Sequence, residues 1–460
     1  MPAHPIDFLI QSHIYSTPEL LEIFDEKNRF DRWLRFEAAL ALSQAELGII
    51  PEKAGEEISR KAHVELLDLA GVAQAYTQNR NSLIPVIDGL RSICADDSGE
   101  YVHFGVTTQD VLDTAQVLEI KETLSVFYRD LRRLEAVLIT HVQQHKNTIM
   151  IGRTHGQQAL PITFGFKVSV WLAEVRRHIE RIKSLAERVL IGQMSGAVGS
   201  MAALGPEAEE VAARTMARLG LGSSALTWHS SRDNIAEIGS CFAMITTTCE
   251  KIANEIFQLG KTEMGELQES PFQKTAGSST MPHKKNPVLC QRIAVMATHV
   301  RSLASVVMES MSHEHERDVR SLWSEWLAMP QISIYTGTAL YYMCDVLEHL
   351  SVNEEAMKKN LGMTKEKVLS EWLQFRLAPE IGRKQTQKKL QEIFHQQEQN
   401  GGSIKNLLAA DPDIAQLLGA DDYAMLEQPE KYIGRITEII DIVMAQVTSS
   451  RKNEAEELYT

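Results

Sequence analysis

The chain has 460 residues, 44% of them hydrophobic, enough for a sizeable core and too apolar for global disorder. Its formal net charge is −14 and it has no basic patch, which argues against a nucleic-acid binder. Five cysteines (Cys94, Cys241, Cys249, Cys290 and Cys344), none paired as C-x-x-C, speak against a disulfide framework and for a reducing, cytoplasmic setting. The start, Met1-Pro2-Ala3-His4-Pro5, has no basic stretch leading into an apolar run, and no uninterrupted apolar stretch reaches ~18 residues, so neither a leader nor a membrane span is expected.

In chain order, helical pieces are predicted over 18–47, ending at Gly48, and over 52–69. Much longer ones follow. From 110 to 146 the residues Val111, Ala115, Leu118, Leu124, Phe127, Leu131, Leu134, Leu138 and Val142 track one broad face. The stretches 164–190, 233–261, 287–312 and 329–350 behave alike, and proline, which interrupts helices, does not occur between Pro206 and Pro271, between Pro287 and Pro330, or between Pro330 and Pro379. Shorter helices are predicted over 364–377 and 386–399, a loop at Asn400-Gly401-Gly402-Ser403, and a charged, frayed tail over 451–460. Strand-like alternation is scarce. The expectation is an all-α chain with a helical head (1–105), a central long-helix bundle (106–355) and a helical tail domain (356–460).

Four segments break the helical pattern with small, polar or cationic residues. In Val102-His103-Phe104-Gly105-Val106-Thr107-Thr108-Gln109-Asp110, Thr108 or Asp110 caps the following helix, or the helix N-terminus and hydroxyls receive an anion. Gly152-Arg153-Thr154-His155-Gly156-Gln157-Gln158 sets a histidine between glycines in a loop, as a structural group or a proton-transfer group. Gly277-Ser278-Ser279-Thr280-Met281-Pro282-His283-Lys284-Lys285-Asn286-Pro287 reads as a linker or as a mobile loop in which positive charge eases loss of a serine proton. His313-Glu314-His315-Glu316-Arg317-Asp318 lacks the i, i+4 histidine pair of a metal helix and reads as paired charges on a loop or helix end; no metal is expected.

Taken together, the G-x-T-x-x-D, G-R-T-H-G-Q and S-S-x-M-P-x-K-x-N motifs resemble the fumarase/aspartase superfamily over nearly the whole chain, within the adenylosuccinate lyase and 3-carboxy-cis,cis-muconate cycloisomerase branches. That resemblance implies a three-domain fold, a homotetramer with a twenty-helix core and active sites shared by three subunits, and no cofactor. It implies anti β-elimination from a small succinyl-type or polycarboxylate substrate, often releasing fumarate, or lactonisation in the cycloisomerase branch. Ser278 would be the general base, His155 the general acid, and His103 an aid to binding or proton transfer. Lys284 and Asn286 would hold the carboxylate that takes up charge. Thr107, Thr108, Thr154, Ser279, Met281 and Arg317 would line the substrate.

The departures concern specificity. Where adenylosuccinate lyases carry Arg-Tyr near the N-terminus this chain has Ile14-Tyr15, and where they place Ser and Arg on the nucleotide phosphate it has Leu322 and Trp326. The loss of those polar groups argues against an AMP-bearing substrate. Trp228-His229, Arg232-Asp233, the Leu322–Trp326 stretch and the run Leu426, Pro429, Tyr432-Ile433-Gly434 resemble the cycloisomerase branch, whereas His155 stands where bacterial cycloisomerases commonly have Trp. Gln291 replaces the glutamate often paired with the catalytic histidine, and Ser231 replaces the usual Gln before Arg-Asp.

Overall fold

The computed structural model describes residues 4–8, 10–270, 281 and 283–459. The head contains α1 (Pro18–Ile23), α2 (Glu26–Glu46), α3 (Glu52–Lys61), α4 (Leu69–Asn79) and α5 (Ile84–Ile93). Then come α6 (Thr108–Gln144), the hairpin β1 (Ile149–Thr154) and β2 (Gln157–Thr163), α7 (Phe164–Val189), α8 (Ala208–Leu219) and α9 (Asp233–Leu259). The strand β3 (Leu267–Gln268), α10 (Val288–Glu309), α11 (Val319–Glu348) and β4 (Ser351–Val352) follow. The remainder is α12 (Glu354–Leu361), α13 (Ser370–Ile381), α14 (Arg383–Asn400), α15 (Ile404–Ala410), α16 (Pro412–Ala415), α17 (Ala420–Leu426) and α18 (Ile436–Lys452).

Five rods of 22 to 37 residues, α6, α7, α9, α10 and α11, pack along one another, as the long apolar faces require. The predicted helix over 18–47 is two helices. The chain breaks at Phe24-Asp25, where the Asp25 carboxylate accepts from the Lys27 amide at 2.9 Å and starts α2 afresh. α11 begins ten residues before the predicted start at 329, because the helix runs through Pro330. Asp318 starts it, accepting the Arg320 amide at 3.0 Å, and the proline's lost backbone bond does not end it.

Two apolar cores form. The larger joins the head, the rods and the final helix α18, through Ile436, Ile440 and Val447. The smaller gathers residues between Leu361 and Leu426 around Ile151 of β1. The tail is not frayed as predicted. The Tyr128 hydroxyl donates to the Ala455 carbonyl at 2.8 Å, and Glu454 accepts from Arg132 at 2.6 Å and pairs with Arg176 at 2.8 Å and Lys183 at 3.0 Å. Those cations lie on α6 and α7, so the tail straps the two rods together. No helix among the described residues is long and apolar enough to cross a membrane.

Candidate active site

The first turn of α6 is built around Asp110, a fully buried carboxylate. It accepts from the Thr107 amide at 3.0 Å, the Ser195 amide at 2.9 Å and the Gly196 amide at 3.0 Å, and lies 3.0 Å from His229 Nε2. Asp110 therefore ties the start of α6 to the 193–196 segment and to the turn before α9. Thr107 is left with its hydroxyl accepting from Arg317 Nη1 at 2.8 Å. A helix N-terminus, two threonines and a guanidinium thus converge, which is the chemistry that holds a carboxylate.

His103 precedes this turn in a left-handed conformation, φ 64°. Its amide donates to Glu37 Oε2 at 2.9 Å, and Nδ1 lies 2.7 Å from Glu37 Oε1. Burial opposes the imidazolium, but the charge and hydrogen bond of Glu37 outweigh it, and the pKa is raised. Glu37 fixes Nδ1, leaving Nε2 without a bond to any described residue.

A buried charge network joins α6, α11 and the residue before α9. Arg232 donates to both oxygens of Asp113, at 2.9 and 3.0 Å, and to Glu325, with Nε at 2.9 Å from Oε1. All three side chains are fully buried. The Arg232 guanidinium also lies 5.0 Å from the Trp228 ring centroid. Burial works against the Arg232 charge, but the two carboxylates more than offset it and raise its pKa. Asp113 stands on α6 below Thr107, and Glu325 on α11 below Arg317, so Arg232 sets the angle between the elements that carry the Thr107–Arg317 pair. Sequence reasoning assigned no role to Asp113, Glu325, Glu37 or Asp110 as a hub. The available signal was charge at core spacing within an apolar helix face, at 110 and 113 on α6.

Thr154 and His155 lie elsewhere in the chain. The segment predicted as a loop is the tip of the β1–β2 hairpin, with Thr154 paired to Gln157. His155 and Gly156, at φ 53° and 75°, form the two-residue turn, whose left-handed pair matches the twist of the strands. Arg153 anchors the hairpin through two bonds to the buried Glu266, at 2.6 and 3.0 Å. Thr154 and His155 are exposed, and no hydrogen bond links either to the Thr107–Arg317 cluster. Lys284 and Asn286 are also exposed, just before α10. The start of α10 is held by Glu269, which accepts from the Leu289 and Cys290 amides at 2.9 Å each. Ser278 and Ser279 lie outside the described residues; Met281 is described and exposed. Within one chain, then, the structure joins Thr107 to Arg317 and His103 to Glu37, and no hydrogen bond among the described residues ties the hairpin tip or the residues before α10 to them.

The 313–318 segment acts as a helix start, as paired charges on a helix end would. His313 Nε2 accepts the Asp318 amide at 2.6 Å, and Arg320 pairs with Asp318 at 2.6 Å and Glu314 at 2.8 Å. The Arg320 bonds hold the Asp318 carboxyl down at about 2.

A lyase family profile matches residues 14–302. The chain is 37% identical over 444 residues to the N-acetyl-S-(2-succino)cysteine lyase of Dickeya dadantii, covering 96% of this chain and 98% of that one. It is 33% identical over 455 residues to the adenylosuccinate lyase of Methanocaldococcus jannaschii, covering 98% and 97%. The crystal structure of 3-carboxy-cis,cis-muconate lactonizing enzyme from Pseudomonas putida superposes with a TM-score of 0.88 at 31% identity, covering 95% of this chain and 98% of that one. The chain belongs to the fumarase/aspartase superfamily. It is an enzyme of that superfamily, and its all-α rods are the superfamily fold, confirming the expectation from the motifs. Leu322 is buried, and Trp326 stacks on Trp33 with ring centroids 6.1 Å apart and planes 9° apart.

Proposed function

We propose that this enzyme eliminates fumarate from a succinyl thioether of an N-acylated cysteine, the kind of substrate named for its Dickeya relative. The observation that carries the reading is the Arg317–Thr107 pair beside the α6 N-terminus, which suits a carboxylate, with Trp326 at a place where the family resemblance would put an arginine for a nucleotide phosphate. A dicarboxylate end is catered for, and a phosphate is not.

In the reaction, Ser278 takes a proton from the succinyl methylene carbon. The released electron pair moves into the adjoining carboxylate, held by Lys284 and Asn286. It then returns to form the carbon–carbon double bond as the carbon–sulfur bond breaks. His155 delivers a proton to the departing sulfur, giving fumarate and a free thiol. His103, oriented by Glu37, together with Thr107, Thr108, Thr154 and Arg317, positions the second carboxylate, with Ser279 and Met281 along the substrate. The exposed His155, with no hydrogen bond to the Thr107–Arg317 pair, is compatible with sites completed by neighbouring copies in a homotetramer, as the family resemblance implies. Incubating the protein with N-acetyl-S-(2-succino)cysteine tests the proposal. Equimolar fumarate and N-acetylcysteine support it, and no cleavage under conditions where adenylosuccinate is cleaved refutes it.

A further inference from the structure

The β1–β2 hairpin needs support from outside itself, since a lone two-stranded ribbon is marginal in water. Its base has that support. Ile151 is fully buried, and Ile149 packs beside it, in the smaller core formed by residues between Leu361 and Leu426. Its tip does not: Thr154, His155, Gly156 and Gln157 are all exposed. Whatever fixes the tip must act on the rung beneath it, where Arg153 pairs with Gln158 across the ladder. Residues directly opposed in this way send their side chains to one face of the ribbon. His155 follows Arg153 by two residues, about 7 Å of strand at most.

Both side chains of that rung are held by one cluster. Arg153 donates to both oxygens of Glu266, whose side chain is fully buried just before β3. Asn360, buried at the end of α12, joins the same carboxylate. Its Nδ2 donates to Glu266 Oε1 at 2.7 Å and to the Met264 carbonyl at 2.9 Å. Gln158 Nε2 donates to the Asn360 carbonyl at 3.0 Å, and Gln158 Oε1 accepts from the Thr364 hydroxyl at 3.1 Å. Glu266 is itself fixed, its amide donating to the Leu259 carbonyl and its carbonyl accepting from the Asn353 amide, each at 2.9 Å. Asn360 therefore reaches both halves of the rung. Its side chain binds the partner of Arg153, and its carbonyl binds Gln158.

We propose that Asn360 and Gln158 are positioning residues for the hairpin tip: they tie the rung below His155 to the tail domain and so set where His155 stands when it delivers its proton. The proposal rests on the reading of His155 as general acid and deepens it, naming what holds that acid in place. Two substitutions cut the tie at different points. Asn360→Ala unfastens α12 from Glu266 and leaves Arg153 on the carboxylate. Gln158→Leu frees β2 from α12 and leaves Glu266 untouched. In each case Arg153 still anchors β1 and the tip can pivot, and a misplacement on the order of 1 Å is enough to slow a positioned reaction.

The test is a double-mutant cycle on the full-length protein with N-acetyl-S-(2-succino)cysteine as substrate. The proteins are wild type, Asn360→Ala, Gln158→Leu, His155→Gln, and each of the first two substitutions combined with His155→Gln. His155→Gln alone should lower kcat by about 10²–10⁴, the worth of a general acid. Asn360→Ala and Gln158→Leu should each lower kcat by about tenfold or more while His155 is present, and cost nothing further once it is gone, because they act through it. A merely structural defect would multiply with His155→Gln. Equal losses with and without His155, or no loss with it, overturn the proposal while the general-acid reading stands. Hydrogen exchange read by mass spectrometry needs no substrate. Peptides within 149–163 should exchange faster in Asn360→Ala and Gln158→Leu while α6 and α9 keep wild-type exchange, and an unchanged hairpin overturns the proposal. If His155→Gln leaves kcat intact, the general-acid reading fails, and exchange alone decides whether the two residues hold the tip. If wild type leaves the thioether intact, the proposed substrate is wrong, and the same cycle is read on adenylosuccinate.

Discussion

Replacing Arg232 with Met removes the cation that pairs with two buried carboxylates, Asp113 and Glu325. Asp113 and Glu325 have fully buried side chains and share Arg232 between them, so the substitution leaves both acids without a counter-charge. Breaking a buried pair in this way costs about 3–5 kcal/mol. At ~2.1 cal/mol/K per residue, a chain of 460 residues has an unfolding entropy of about 1 kcal/mol/K, so the melting midpoint should fall by about 3–5 °C at fixed protein concentration. The loss has a pH signature. Burial already raises the Glu325 pKa, with Arg232 opposing it. Without that opposition the folded-state pKa rises further above the unfolded value. A carboxyl raised in this sense favours the folded state at low pH and loses that contribution as pH rises through the folded value. The deficit should therefore be largest near pH ~8 and shrink toward pH ~5. Adding Glu325→Gln to Arg232→Met neutralises one stranded acid and should recover part of the loss. Thermal melts of the four proteins of this cycle across pH are the assay. A pH-independent deficit, or a double variant less stable than Arg232→Met, would show that the charge network is not what holds α6, α9 and α11 in register.

Glu37→Gln should act on His103. The raised pKa means the imidazolium favours folding below the unfolded pKa and fades as pH rises through the folded one. Removing Glu37 leaves burial to lower it, so the matching limb of kcat/KM should move to lower pH, and an unmoved profile contradicts the pairing. Gly156→Ala puts a Cβ at φ 75° in the hairpin turn, costing about 1–2 kcal/mol locally; with His155 as general acid, kcat should fall more than KM changes, as steady-state kinetics will read. Glu454→Gln weakens the pairing of Arg132, Arg176 and Lys183 with the tail, and should make the last residues cleavable by carboxypeptidase while wild type resists. Glu269→Gln weakens the charge-assisted start of α10 and should lower kcat by displacing Lys284 and Asn286, and unchanged kinetics would separate that helix start from the chemistry.

The rods were legible because a 3.6-residue apolar repeat over about six or more turns has few alternative explanations. The four polar segments stood out because each interrupts such a repeat. The hairpin was not: Gln157–Thr163 contains Pro161 and little alternation, and its pairing is set by the His155-Gly156 turn and the Arg153–Glu266 anchor, which is distant in sequence. Pro330 concealed the first turns of α11, since proline marks a cost to a helix and not a certain end. The Arg232 network was hidden for a different reason. Its three members come from α6, α11 and the residue that precedes α9, and a charged residue in an amphipathic pattern reads as solvent-facing until a partner is found. The tail misled in the same way, its charge being matched by arginines on α6 and α7.

The central claim is that the chain releases fumarate from a succinyl thioether using Ser278 as base. The most direct measurement is product analysis of wild type and Ser278→Ala with N-acetyl-S-(2-succino)cysteine, adenylosuccinate and 3-carboxy-cis,cis-muconate side by side. The account predicts equimolar fumarate and N-acetylcysteine from the first, little turnover of the other two, and a loss of at least ~100-fold in kcat for Ser278→Ala with the thioether still bound. Efficient adenylosuccinate cleavage, lactone formation without fragmentation, or undiminished turnover by Ser278→Ala would contradict it.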